Sequence, residues 1–174
     1  MLRGMRGVMI DMYRRPNKLL EAIEKLYFPS LLDAGIYRAK NSASSRVFIP
    51  LHRGADGFMS ITQFEKFYWP SLKRVLLALI DAGLTPCPFF EGSFDSRLEY
   101  LKELPKGKVL AFFDSTNIFR AKEILGDTMC IAGNMPVSLL KTGTPGQVRE
   151  YAKKLIDVVG NGGGFIMSAN AVLD

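Results

Sequence analysis

Five short apolar runs, each followed by a helix-patterned segment or ending the series, constrain this sequence more than any other feature. They are RVFIPLH (46–52), TPCPFFEG (85–92), KVLAFFD (108–114), TMCIAGN (128–134) and GGFIMSAN (163–170). Each is too short for a buried helix and rich in β-branched or aromatic residues, so each reads as a strand. The segments between them carry helical signals. Ser60 with Gln63, and Thr144 with Gln147, have capping-box spacing, and Pro145 stands at a first helical position. Gly83 and Gly126 read as helix stops, and Pro70 should kink or split its helix. Continuous apolar strands alternating with helices predict parallel pairing with both faces covered. Two architectures do this: the doubly wound sheet and the (β/α)8 barrel. No glycine-rich phosphate loop follows any of the strands, which weighs against a nucleotide-binding doubly wound sheet.

The first 45 residues lack strand signals and read as helical. Pro16 opens one helix with Leu19, Leu20, Ile23 and Leu26 on one face, and Pro29 ends or kinks it. A second helix is expected over 30–41, then a polar linker over 41–45. The chain as a whole reads as one domain, with helices over 1–45 and β/α repeats over 46–174.

The 174 residues are 48% hydrophobic and 23% charged, an ordinary globular balance. The net charge of +6 is scattered rather than gathered into a basic run, so nucleic acid is not an expected partner. No apolar run approaches the roughly 20 residues that span a bilayer, and the N-terminus lacks a secretory h-region. Two cysteines form no disulfide framework. These features together read as a soluble, cytoplasmic protein with no membrane partner.

The strand ends carry the chemistry. The runs terminate at His52, Glu91, Asp114, Asn134 and Asn170. In parallel α/β folds these carboxyl ends converge where active sites form. Glu91, His52, Asp114 and Asn134 are therefore the candidate catalytic residues. Each has a structural alternative: Asp114 as a helix cap, Asn134 as a turn former, and His52, the sole histidine, as a structural ring. Glu91 follows a very apolar run, where an unpaired carboxylate is costly. Cys87, Phe89 and Glu91 share a strand face by alternation. A thiolate, a carboxylate and an imidazole from Cys87, Glu91 and His52 form a chemically competent zinc set. The alternative is that Cys87 is a small core residue.

The run from Gly126 to Asn170 resembles the uroporphyrinogen decarboxylase family. Gly133-Asn134-Met135-Pro136, Leu139-Leu140, Gly143-Thr144-Pro145 and Gly163-Gly164-Phe165-Ile166 match its C-terminal motifs. Phe64–Phe67, Pro70 and Lys73-Arg74 resemble an upstream helix of the same family. The resemblance implies the C-terminal half of a (β/α)8 barrel, with about five parallel strands. It implies one of two chemistries: cofactor-free decarboxylation of a tetrapyrrole, or zinc-dependent methyl transfer between a corrinoid protein and a thiol such as coenzyme M.

The chain departs from both patterns. Where the methyltransferases carry H-x-C-G, it reads Phe89-Phe90-Glu91-Gly92, and the family's cysteine or histidine after the last strand has no counterpart near Asn170-Ala171. The decarboxylase arginines and aspartate belong to the N-terminal half. The expected functions are a corrinoid-linked methyltransferase or a subunit of one, a tetrapyrrole decarboxylase, or a non-catalytic half-barrel assembly module. The expected cofactors are zinc or a partner-held corrinoid, and none for a true decarboxylase. The expected partners are an N-terminal barrel half or a second copy, together with a corrinoid protein.

Overall fold

The computed structural model describes residues 3–25 and 32–171. Leu26, Pro29 and the start of the helix expected over 30–41 lie outside the described residues. The chain forms two compact units: residues 1–45 with 62–84, and residues 46–61 with 85–174.

The first unit is helical. It contains α1 (Gly4–Arg14), α2 (Pro16–Ala22) and α3 (Asp33–Lys40). Pro16 occupies the first turn of α2, where its missing N–H costs no hydrogen bond. A longer helical segment follows later in the chain. α4 (Ile61–Gln63) runs into a π-helical turn (Phe64–Tyr68) and then α5 (Trp69–Asp81). The wide turn ends where Pro70 enters the first turn of α5. Pro70 has no N–H for the preceding carbonyls, so the expected disruption takes the form of a wider helical turn. Trp69, Leu72, Leu76 and Leu79 recur at helical spacing and are all buried. The Arg74 guanidinium donates to Glu24 at 2.7 Å.

The second unit holds a five-stranded sheet: β1 (Arg46–Leu51), β2 (Thr85–Phe90), β3 (Leu110–Phe113), β4 (Cys130–Met135) and β5 (Phe165–Ala169). Every neighbouring pair is parallel, and the spatial order is β1-β2-β3-β4-β5. A doubly wound sheet reverses its order at a switch point. Sequential order without reversal is the order of the (β/α)8 barrel, so the barrel alternative holds. Between the strands lie α6 (Leu98–Leu101), α7 (Ile118–Leu125), α8 (Val137–Thr142) and α9 (Pro145–Lys154), the last continuing into a π-helical turn (Leu155–Val159).

Local chemistry explains the helix starts. Thr144 and Gln147 form the expected reciprocal capping box. For α7 the cap is Asn117, whose side chain accepts from the N–H groups of Phe119 and Arg120 at 3.1 and 3.2 Å. Asp114 therefore does not cap this helix. The short α8 has no counterpart among the sequence expectations.

The two faces of the sheet differ. Leu51, Phe90, Phe113 and Ile131 are buried on one face. Phe90 stacks on Phe113 at 5.3 Å and meets Phe94 edge-on at 4.9 Å. α7 packs against β4, and the Leu155–Val159 turn packs against β5. The opposite face alternates with it and carries Phe48, Phe89 and Phe112, with Phe48 61% exposed. No described helix is long and apolar enough to cross a membrane.

Candidate functional site

The strand ladder continues one residue past several strands and so fixes the site's backbone. The N–H of Glu91 donates to Leu51, that of Asp114 to Phe90, and that of Asn170 to Met135. The carboxyl ends of β1, β2, β3 and β5 thus deliver His52, Glu91, Asp114 and Asn170 on the alternation of the open face.

Between β3 and β4 the regular pairing stops after Phe112 and Ala132. Gly133 has φ +125°, and a Cβ there would lie 2.5 Å from the Phe113 carbonyl oxygen, so only glycine fits. The Asn134 side chain then takes over the bonding. Its Nδ2 donates to the carbonyls of Asp114 at 3.1 Å and Thr116 at 2.8 Å. Asn134 is 7% exposed, so these bonds satisfy a buried amide. Its expected alternative role as a turn former is replaced by this cross-strand bridge.

Asp114 is held on both oxygens. Oδ2 accepts from the N–H of Gly92 at 2.9 Å, and Oδ1 accepts from Nδ2 of Asn170 at 3.0 Å. Asn170 Oδ1 in turn accepts from the N–H of Val137 at 2.9 Å. Gly92 makes its turn at φ +85° with Ala55 directly against it, which brings its N–H to the carboxylate. Beside this network lies a cleft of about 330 Å³ lined by Asp114, Thr116, Asn134, Tyr151, Asn170 and Phe119, among others, with no Lys or Arg in its walls. The Tyr151 hydroxyl lies 3.4 Å from Asn134 Oδ1, and burial raises its pKa.

His52 and Glu91 form a second constellation. The imidazole Nδ1 meets the Glu91 carboxylate in a short contact. A carboxylate accepts, so Nδ1 is the donor in this contact, and in the neutral tautomer that fits it Nε2 keeps the lone pair. Both side chains are open to solvent, at 57% and 47% exposure. The sequence placed Glu91 at the end of a buried run. The turn at Gly92 instead leaves it at the surface, paired with the imidazole.

Cys87 does not join this pair. Four residues separate it from Glu91 along β2, about 13 Å at the usual strand rise. It lines a different groove, of about 620 Å³, with Arg46, Phe48, Leu110, Cys130 and Ile166. Burial pushes both the Cys87 and the Cys130 thiol up, toward the neutral form. Among the described residues no three His, Cys, Asp or Glu side chains gather as a metal site. Of the anticipated set of Cys87, Glu91 and His52, the fold brings His52 and Glu91 together and leaves Cys87 apart, because period-two alternation gives a common face but not a common end.

The contributions of Arg97, Thr116 and Tyr151 had no sequence signal. The Thr116 hydroxyl accepts from the N–H of Phe94 at 3.0 Å. Arg97 is 2% exposed and ion-pairs with Asp56. Burial pulls its guanidinium down, but an arginine starts so high that it stays charged.

The sequence profile of the uroporphyrinogen decarboxylase (URO-D) family matches residues 1–171. A protein named uroporphyrinogen decarboxylase from Syntrophotalea carbinolica (strain DSM 2380 / NBRC 103641 / GraBd1) is 24% identical over 146 residues, covering 84% of this chain and 40% of that protein. The match thus spans two-fifths of that relative's length, 40%. Its parallel strands, in barrel order with their polar residues at the carboxyl ends, are those of a partial (β/α)8 barrel, and the chain belongs to the uroporphyrinogen decarboxylase family.

Proposed function

We propose that this chain provides the proton-transfer half of a barrel active site, and that the reaction is methyl transfer between a corrinoid protein and a thiol. The His52–Glu91 pair carries this reading. Glu91 stands where the methyltransferase pattern places a cysteine. In that pattern zinc makes the thiol acidic. Here an imidazole held by a carboxylate stands in the same neighbourhood and suits the same task as a general base. The corrinoid, held by its own protein, supplies the methyl group. His52 Nε2 takes the thiol proton as sulfur bonds to the methyl carbon, and the electrons of the broken bond remain with the corrinoid. Glu91 stabilises the imidazolium that results.

The two-membered donor set does not fit a zinc centre, so no step is routed through a metal. Five strands leave an eight-stranded barrel open. The reading therefore includes the remaining barrel strands, which complete the site.

The printed name of the relative favours a second reading, tetrapyrrole decarboxylation, in which the same pair delivers a proton to carbon. An assay of the completed barrel separates the two. We expect methyl transfer from a methylated corrinoid protein to coenzyme M, slowed about 10²- to 10⁴-fold by His52→Gln, as for loss of a general base. Release of CO₂ from uroporphyrinogen with no thiol methylation would replace the first reading with the second. Unchanged rates in His52→Gln would remove His52 from the reaction.

A further inference from the structure

We propose that Asp56 and Arg97 are positioning residues for the His52–Glu91 pair. This rests on the reading that the pair performs the site's proton transfer. The starting observation is that neither His52 nor Glu91 is held by packing, since both side chains are about half exposed. Their geometry is set from beneath, by the two loops that carry them.

Those loops are clamped by one buried cation. Arg97 is the only charged side chain among the buried described residues. One guanidinium nitrogen meets Asp56, four residues past His52, and the other donates to the Met59 carbonyl at 2.7 Å. The Asp56 carboxylate also accepts from the Ser93 hydroxyl at 3.1 Å, and from the N–H and hydroxyl of Ser96 at 3.1 and 2.6 Å. The Asp56 N–H donates back to the Ser93 carbonyl at 2.7 Å. Ala55 abuts Gly92, the residue after Glu91, so closely that a Cβ there would be 2.9 Å away. The loop following β1 and the loop following β2 are thereby joined just beyond the pair.

Stability alone does not call for a charge here. A buried ion pair contributes little beyond what well-packed apolar groups of equal volume would supply. A guanidinium fork does what those groups cannot: it fixes a carboxylate and a carbonyl in one plane and so sets the register of two loops. The consequence falls on the imidazole. With the loops in register, Glu91 faces Nδ1 and the Nε2 lone pair points outward for the substrate proton. With the register relaxed, the ring loses its acceptor and the tautomer is no longer fixed.

His52 is the sole histidine, so the ¹⁵N spectrum of the full chain reports this ring alone. In alkaline solution, where an imidazole is neutral, the native chain is expected to show the Nδ1–H tautomer. Glu91→Ala, which removes the acceptor, should shift it toward the mixture of free imidazole. Asp56→Asn and Arg97→Lys should each lose about half or more of the Nδ1–H population, while thermal unfolding remains cooperative. Asp56→Asn keeps the side chain's size and one acceptor oxygen for the Ser93 hydroxyl and the Ser96 N–H, so it serves where Arg97→Lys fails to fold. Native-like tautomer signals in a folded Asp56→Asn chain would overturn the proposal. A spectrum that Glu91→Ala leaves untouched would overturn the pair itself, and the positioning role with it.

Discussion

The two faces of the five-stranded sheet are made from alternate residues of the same strands, yet they obey different rules. On one face Phe90, Phe113 and Ile131 are sealed at 1% exposure or less. On the other, Phe48 and Ile166 remain 61% and 46% exposed, and the row ends in His52, Glu91, Asp114, Asn134 and Asn170. The covered face supplies the stability of the unit. The open face is apolar along the strands and polar only at their carboxyl ends, the distribution of a barrel interior whose chemistry sits at its mouth.

Phe113→Ala should separate the faces most sharply. Phe113 stacks on Phe90 with no exposed surface to spare, so truncation should cost about 3–5 kcal/mol. Phe48→Ala, on the open face, should cost well under 1 kcal/mol by comparison. Urea unfolding monitored by far-ultraviolet dichroism measures both, and similar losses would break the distinction between the faces.

A smaller effect is expected at the mouth. Asp114→Ala removes the acceptor for the Gly92 N–H and the Asn170 amide together, with an expected loss of about 1–3 kcal/mol. Asp114→Asn, which keeps the oxygen for one donor, should lose less. A loss from Asn as large as that from Ala would show that charge, and not the retained bond, governs this position.

The thiols of the open face give the mildest and most specific test. Burial raises both, so the thiolate fraction of each at pH 8 is below that of an ordinary cysteine, and alkylation should be roughly several-fold slower. The rate should climb only above the ordinary thiol range, about pH 8.5. Cys130, less buried, should react before Cys87. Where the folded thiols are the weaker acids, the folded state holds more protons than the unfolded one. Their contribution to stability is therefore complete at lower pH and is lost as pH rises through the folded values. Adding a barrel half that covers the groove should slow both thiols further.

The strands were readable because their signal is local. Four of the observed strands lie within their apolar runs, β4 passes the end of its run by one residue at Met135, and Thr144–Gln147 form the box their spacing predicts. The strand-end residues were readable for the same reason, since a parallel sheet gathers whatever stands at its carboxyl ends. What could not be read depends on distance across the fold. Arg97 reaches Asp56 across 41 positions of sequence, and nothing near either residue announces the other. The segment from Asp114 to Asn117 offered several polar candidates for a helix cap, and the choice fell to Asn117 because Ile118 is the first residue drawn into the core. Cys87 shares the face of Glu91 but lines a separate groove further back along the strands, because alternation says nothing about depth along a strand.

The strand order has a consequence for how such a sheet comes into being. Each strand pairs only with its predecessor and its successor in the chain. A newly made strand finds its template already laid down by the segment just before it, and no strand waits for a distant stretch of polypeptide to arrive. Growth of this kind resembles the stacking of repeats more than the closure of a knot of remote contacts. A barrel assembled so can be divided between one unit and the next without stranding an inner strand, and each division leaves an edge that is itself the template for the piece removed.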